Sequence, residues 1–178
     1  ARLPAGEAND TMVHFCDWTP TLLAAAGVTT RPPLPHDGVN ILPVLQGLSD
    51  ALPSQRFWQF NRYEPVPNCN AAMRDGPWKL YWPRIPEAMA KLEIDNLWYR
   101  GMFDTPHFET PIDLSPVARE VSDPGEPELY NLDDDPAESL NLARRYPERV
   151  DAMRRELECW FDAVNAERRA LPDTWRGA

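Results

Sequence analysis

Apolar residues are spaced in different ways in different parts of this chain. Toward its end, Val150, Met153, Leu157, Trp160, Phe161 and Val164 recur at intervals of three and four, with Glu148, Arg149, Arg154, Arg155 and Glu158 between them. That period predicts a long amphipathic helix beginning at Pro147, with one face for a core and one for water. From residue 56 the period changes. The runs 56–62, 69–74 and 78–82 are short and rich in aromatic and β-favouring residues, and Asp75-Gly76-Pro77 separates the second from the third. Two short runs divided by Asp-Gly predict a hairpin, because Gly76 can take the positive φ that a tight turn requires. A fourth strand is predicted at 128–132, between Pro127 and Asp133-Asp134-Asp135-Pro136. The expected fold class is α+β: a four-stranded antiparallel sheet packed in two layers against the C-terminal amphipathic helix.

The first fifty residues read differently. Asp17-Trp18-Thr19-Pro20 leads into Thr21-Leu22-Leu23-Ala24-Ala25-Ala26-Gly27. Asp17 or Thr19 can cap this helix, Pro20 suits its first turn and Gly27 its left-handed exit. A helix with no polar face beyond its caps must be buried on more than one side, which points to a partner surface. After a Pro-rich stretch, Asp37-Gly38-Val39-Asn40-Ile41-Leu42-Pro43-Val44-Leu45-Gln46-Gly47 predicts a second short helix capped by Asn40. Met89, Leu92 and Leu97 predict one further helix over 86–100. Residues 103–127 are Pro-rich and without period. A connection of that length inside a compact domain usually has a job or lies over a partner.

Composition narrows the function. A net charge of −10 and 26 % charged residues describe a chain that repels a nucleic-acid backbone. No apolar run approaches the roughly 20 residues of a membrane span. The 20 prolines predict short elements joined by ordered loops. Cys16, Cys69 and Cys159 lie far apart, form no Cys-x-x-Cys pair, and are expected to be buried thiols. No nucleophile elbow, phosphate-binding loop or His-Glu-x-x-His pair occurs, and His14, His36 and His107 are scattered. Asp133-Asp134-Asp135 lacks the alternate spacing of a calcium loop and is expected to be a turn whose carboxylates accept from nearby amides.

Four segments, in order, carry a resemblance. Asp17-Trp18-Thr19-Pro20-Thr21-Leu22-Leu23 is followed by Asp37-Gly38 with Leu42-Pro43-Val44-Leu45-Gln46-Gly47, then by Ala72-Met73-Arg74-Asp75-Gly76-Pro77-Trp78-Lys79-Leu80. Glu128-Leu129-Tyr130-Asn131-Leu132 comes last, with Asp135-Pro136-Ala137-Glu138 and Asn141-Leu142-Ala143. Together they resemble the C-terminal region of sulfatases, in the alkaline-phosphatase-like superfamily. The resemblance implies that residues 1–50 end a catalytic α/β domain, against which the short helices would pack, and that 51–178 form the smaller C-terminal subdomain. It implies formylglycine and calcium in a catalytic domain upstream, where electrostatic stabilisation and a metal-oriented nucleophile would drive sulfate-ester hydrolysis. Neither the Cys/Ser-x-Pro-x-Arg modification motif nor the family's N-terminal Asp-Asp metal pair occurs in these residues. The chain alone is therefore expected to have no catalytic or metal-ligating residue and no sulfatase activity, its partners being the catalytic domain and a sulfate ester.

In such enzymes loops of the smaller domain border the substrate cleft. The candidates here are Asn61, Arg62 and Tyr63 after the first strand, and Trp98, Arg100 and His107 around the long insertion, since Arg grips sulfate through paired hydrogen bonds and aromatic rings cover a sugar or aryl face. Two alternatives stay open. The parent could hydrolyse a phosphate or phosphonate ester on the same framework, or the chain could be a non-enzymatic binding or oligomerisation module that uses its apolar first helix as an interface.

Overall fold

The structure, a computed structural model, describes residues 3–29, 35–103 and 119–170, apart from the side chains of Ile94, Leu97 and Trp98. The chain divides into two compact units, Ala1–Arg56 and Phe57–Ala178.

In the first unit a 3-10 turn, Phe15–Asp17, runs directly into helix α1, Trp18–Ala25. The cap lies one turn earlier than the sequence suggests. His14 Nδ1 accepts from the Cys16 amide at 3.3 Å, and the His14 amide donates to Asp17 Oδ2 at 2.7 Å. Neither Asp17 nor Thr19 caps α1 in the usual way, because Asp17 is turned inward and fully buried while Thr19 is exposed. A second short helix, α2, Leu42–Leu45, follows. The cap position is Ile41, one residue later than expected and without a side-chain bond, while Asn40 Oδ1 accepts from the Leu42 amide at 3.0 Å in a turn just ahead of the helix. Gly38 has a packing reason to be glycine. A Cβ there would lie 2.2 Å from the Cys16 carbonyl oxygen, so the backbone could not come this close with any side chain.

The sheet is antiparallel where its register is defined and has the order β1-β2-β3-β4. Its strands are β1, Gln55–Gln59; β2, Ala71–Asp75; β3, Trp78–Trp82; and β4, Glu128–Asn131. The fold class is α+β, as the periodicities predict. Gly76, at φ 55°, opens the two-residue turn that pairs Asp75 with Trp78. The register aligns Met73 with Leu80 and Leu80 with Leu129, so one apolar row crosses three strands. Ala71 and Trp82 extend the same face, as the two-residue repeat of a strand requires.

Between β3 and β4 the sequence predicts one helix over 86–100. The structure has two: α3, Pro86–Met89, and α4, Glu93–Phe103. Ala90 is extended, with ψ 138°, and the Leu92 amide donates to Asp95 Oδ2 at 2.9 Å. A carboxylate three residues into a helix, accepting from the amide at its entrance, starts a new helix there. Most of the period-free segment 103–127 lies outside the described residues. After it, the Trp82 indole donates to the Gly125 carbonyl at 2.7 Å.

Helix α5, Pro147–Ala170, covers the apolar face of the sheet. Met153 and Leu157, one turn apart, are buried in the cluster with Ala71, Met73, Leu80, Trp82 and Leu129. Phe57 stacks on Trp160 at 5.3 Å, and Trp78 meets the Tyr146 ring edge-on at 5.2 Å and the Arg149 guanidinium at 4.6 Å. The thiols depart from expectation. Cys69 is buried and its sulfur accepts from the Ile85 amide at 3.2 Å, but Cys16 is half-buried and Cys159 exposed. Cys159 follows Leu157 by two residues, about 200° around the helix, and so faces outward. The acidic turn after β4 behaves as expected: Asp135 accepts from the Ser139 and Leu140 amides at 2.7 and 2.8 Å. These bonds hold its carboxyl below the usual carboxylate range.

Candidate functional site

The loop that leaves β1 carries three of the candidate residues, and its conformation depends on its own side chains. Asn61 Oδ1 accepts from the Val66 amide at 2.8 Å, while its Nδ2 donates to the carbonyls of Cys69 and Phe60 at 3.0 and 2.9 Å. The Asn61 amide is thus occupied in folding the loop back on itself. Asn68 and Asn70 take positive φ, which asparagine tolerates. Tyr63 also sits at φ 57°, an uncommon conformation for a bulky aromatic residue and one held only by surrounding contacts.

Those contacts converge on Asp95, near the start of α4. Arg62 Nη1 donates to Asp95 Oδ1 at 3.1 Å, and the Tyr63 hydroxyl donates to Asp95 Oδ2. The Leu92 amide donates to the same Oδ2 and, at 3.1 Å, to the Tyr63 oxygen. Arg119 holds the loop from behind. It donates to the carbonyls of Arg62, Glu64 and Ala88, the last two at 2.8 and 2.9 Å, and its guanidinium lies 5.5 Å from the centre of the Tyr63 ring. The structure therefore brings Arg62 and Tyr63 together on a carboxylate, while Asn61 is spent on the loop backbone. Arg100 is in the last turn of α4 and exposed, as are Tyr99, Met102 and Phe103, with the Tyr99 and Phe103 rings 5.2 Å apart. Trp98 belongs to α4, but its side chain lies outside the described residues, as does His107 entirely. Sequence reading missed Asp95 and Arg119. An acidic residue in the first turn of a helix was a signal for Asp95, whereas nothing local distinguishes Arg119.

The cluster has a pH window. The Tyr63 hydrogen bond, followed by the Leu92 amide, lowers the Asp95 pKa, and desolvation followed by the Asp95 hydrogen bond raises that of Tyr63. A lowered carboxyl contributes stability above its unfolded value, lost as pH falls through the folded one. A raised phenol contributes below its unfolded value, lost as pH rises through the folded one. Given unfolded values near 4 and 10, the clasp contributes its full stability between about pH 5 and about pH 9, and its bonds persist beyond that window until the lowered carboxyl protonates or the raised phenol ionises. The expected result is a Leu92 amide whose NMR shift is flat across that window and moves only outside it, below about pH 4 and above about pH 10. In Asp95→Asn the acid-side movement should vanish, and its persistence would mean that another group titrates there.

In the first unit the polar centre is Asp17. Its carboxylate accepts from the Val39 amide at 2.9 Å, the His14 amide, and Arg56 Nη2 at 3.0 Å, with both side chains buried. Thr21 Oγ1 donates to the Asp17 carbonyl at 2.6 Å and accepts from the Ile41 amide at 2.9 Å. Arg56 Nε is buried without a hydrogen-bond partner among the described residues. Burial, then Asp37 and Asp17, push the Cys16 thiol up, away from the thiolate that nucleophilic chemistry needs.

Around this knot the apolar surface is uncovered. Phe15, Trp18 and Leu22, spaced as one helical face, are 70 %, 46 % and 63 % exposed. Among the described residues no group of three or more His, Cys, Asp or Glu side chains could hold a metal ion. Among the same residues no helix is long and apolar enough to cross a membrane.

No protein-family model matches the chain, and no curated protein matches it. Solved structures do match. One is a Bacteroides thetaiotaomicron chain described under the metabolism of multiple glycosaminoglycans, with a label ending in 6S-sulf. It is 21 % identical at a TM-score of 0.46, over 84 % of this chain and 24 % of that one, so this chain spans about a quarter of that structure's length.

Proposed function

We propose that this chain is the C-terminal region of a sulfatase, which supports a catalytic domain and borders the substrate cleft without supplying the nucleophile or the metal ligands. On this reading residues 1–50 complete the catalytic α/β domain and 51–178 are the C-terminal subdomain. The observation that carries it is the run of four family-like segments in family order. They coincide with α1, with the loop and helix at α2, with the β2–β3 hairpin, and with β4 and the turn before α5. An uncovered apolar face on α1 is what a domain seam needs. Each large side chain it covers would contribute on the order of 1.5–3 kcal/mol on full burial. Arg62 and Tyr63 are the residues of this chain best suited to border a sulfate group, because a guanidinium and a hydroxyl both donate to an oxyanion.

The test joins this chain to the coding region upstream of it. A Cys-x-Pro-x-Arg or Ser-x-Pro-x-Arg segment in frame, with turnover of p-nitrophenyl sulfate by the joined protein and none by the 178-residue chain alone, is the expected result. Turnover by the chain alone would overturn it. So would a defined oligomer of the chain in light scattering that Leu22→Asp dissociates, since the apolar face would then serve self-association.

A further inference from the structure

Arg62 and Tyr63 are adjacent, and in an extended strand adjacent side chains leave opposite sides of the backbone. The positive φ at Tyr63 accompanies the opposite outcome, with a guanidinium and a phenol hydroxyl delivered to the two oxygens of one carboxylate. Strain of this kind is usually kept where the convergence matters. The cluster is also reachable, because the Arg62 and Asp95 side chains remain 28 % and 23 % exposed. Arg62 uses one terminal nitrogen on Asp95, whereas a guanidinium can grip an oxyanion through two parallel bonds.

We propose that Arg62 and Tyr63 form a cradle for an oxyanion, that the Asp95 carboxylate is its built-in occupant, and that a sulfate group from solution displaces it. Arg119 keeps the cradle assembled whether or not Asp95 is in place, since its bonds go to the carbonyls of Arg62, Glu64 and Ala88 and not to Asp95. Displacement breaks the Arg62 and Tyr63 bonds to Asp95 and forms new ones to the entering oxygens. It also frees the Leu92 amide from the Tyr63 oxygen. The inference deepens the sulfatase reading and rests on it only for the origin of the anion.

The full 178-residue chain suffices as material, so a missing upstream nucleophile motif would not affect the outcome. Sodium sulfate and p-nitrophenyl sulfate are titrated separately against sodium chloride at matched ionic strength, reading the NMR shifts of the Leu92 amide and the Arg62 side-chain N–H groups. Saturable shifts with sulfate or with the ester, and none with chloride, are expected. A response to both assigns the cradle to sulfate in general, and a response to the ester alone to sulfate monoesters. Asp95→Ala should bind about tenfold tighter, the gain expected if the cradle is open about one-tenth of the time in the parent chain. Adding Arg62→Gln should abolish the gain. Shifts that match the chloride control in the unsubstituted chain overturn the proposal whether or not the variants fold, and so does a tenfold gain that survives Arg62→Gln.

Discussion

Asp17→Ala is expected to cost the first unit about 3–5 kcal/mol, because it leaves the Arg56 guanidinium buried with no counter-charge. Both side chains are almost wholly shielded from water, and the same carboxylate also accepts from two backbone amides, so three donors lose their acceptor together. Hydrogen exchange at Val39 and Ile41 reports this locally, because those amides donate to Asp17 and Thr21. Faster exchange at both by two or more orders of magnitude is the expected result at about 1.4 kcal/mol per tenfold. Pairing the change with Arg56→Met should recover part of the loss, since removing a buried ion pair whole is far less damaging than removing half of it. If the single and double variants exchange at the same rate, the charge is not what holds Asp17 in place.

Leu80→Ala should cost about 2–5 kcal/mol in the second unit, since Leu80 is fully buried at the middle of the row it makes with Met73 and Leu129. The cavity would open under Met153 and Leu157, where α5 meets the sheet. Urea unfolding should show a lower midpoint with an unchanged slope. Leu22→Ala is the control. A side chain 63 % exposed has little to lose, and its removal should stay within about 0.5 kcal/mol in this chain. An equal cost for the two would mean that the face of α1 is covered by this chain's own residues. In a protein that carries the upstream domain, the proposed seam predicts a larger penalty for Leu22→Ala than in the chain alone.

Both effects depend on how local pattern is turned into contact. The elements that sequence reading located well are those whose residues answer to neighbours within one or two turns of chain. Met153 and Leu157 face the core because four residues make about one helical turn, and Asp75-Gly76-Pro77 makes a hairpin because glycine accepts the turn's backbone. The α+β layering follows from those periods, since an apolar strip on a helix and an apolar face on a sheet must cover each other. Local pattern failed where a polar group had two possible employers. Asp17 is a good cap by composition, yet its carboxylate serves Arg56, thirty-nine residues later, and His14 takes over the cap. The period over 86–100 is that of one helix, yet Ala90 is extended and Asp95 accepts from Leu92 to open a second, a choice that the spacing of apolar residues does not report.

The candidate site divides in the same way. Arg62 and Tyr63 were legible as residue types suited to a sulfate group, and their chemistry needs no fold to be named. Their convergence on Asp95 and the support of Arg119, fifty-seven residues beyond Arg62, are products of tertiary structure alone. Sequence by itself determined which segments could be helix, strand or turn, because propensity and periodicity act over a few residues. Only the folded chain decided which charges meet, because a hydrogen bond of about 3 Å between distant residues depends on the position of every element between them.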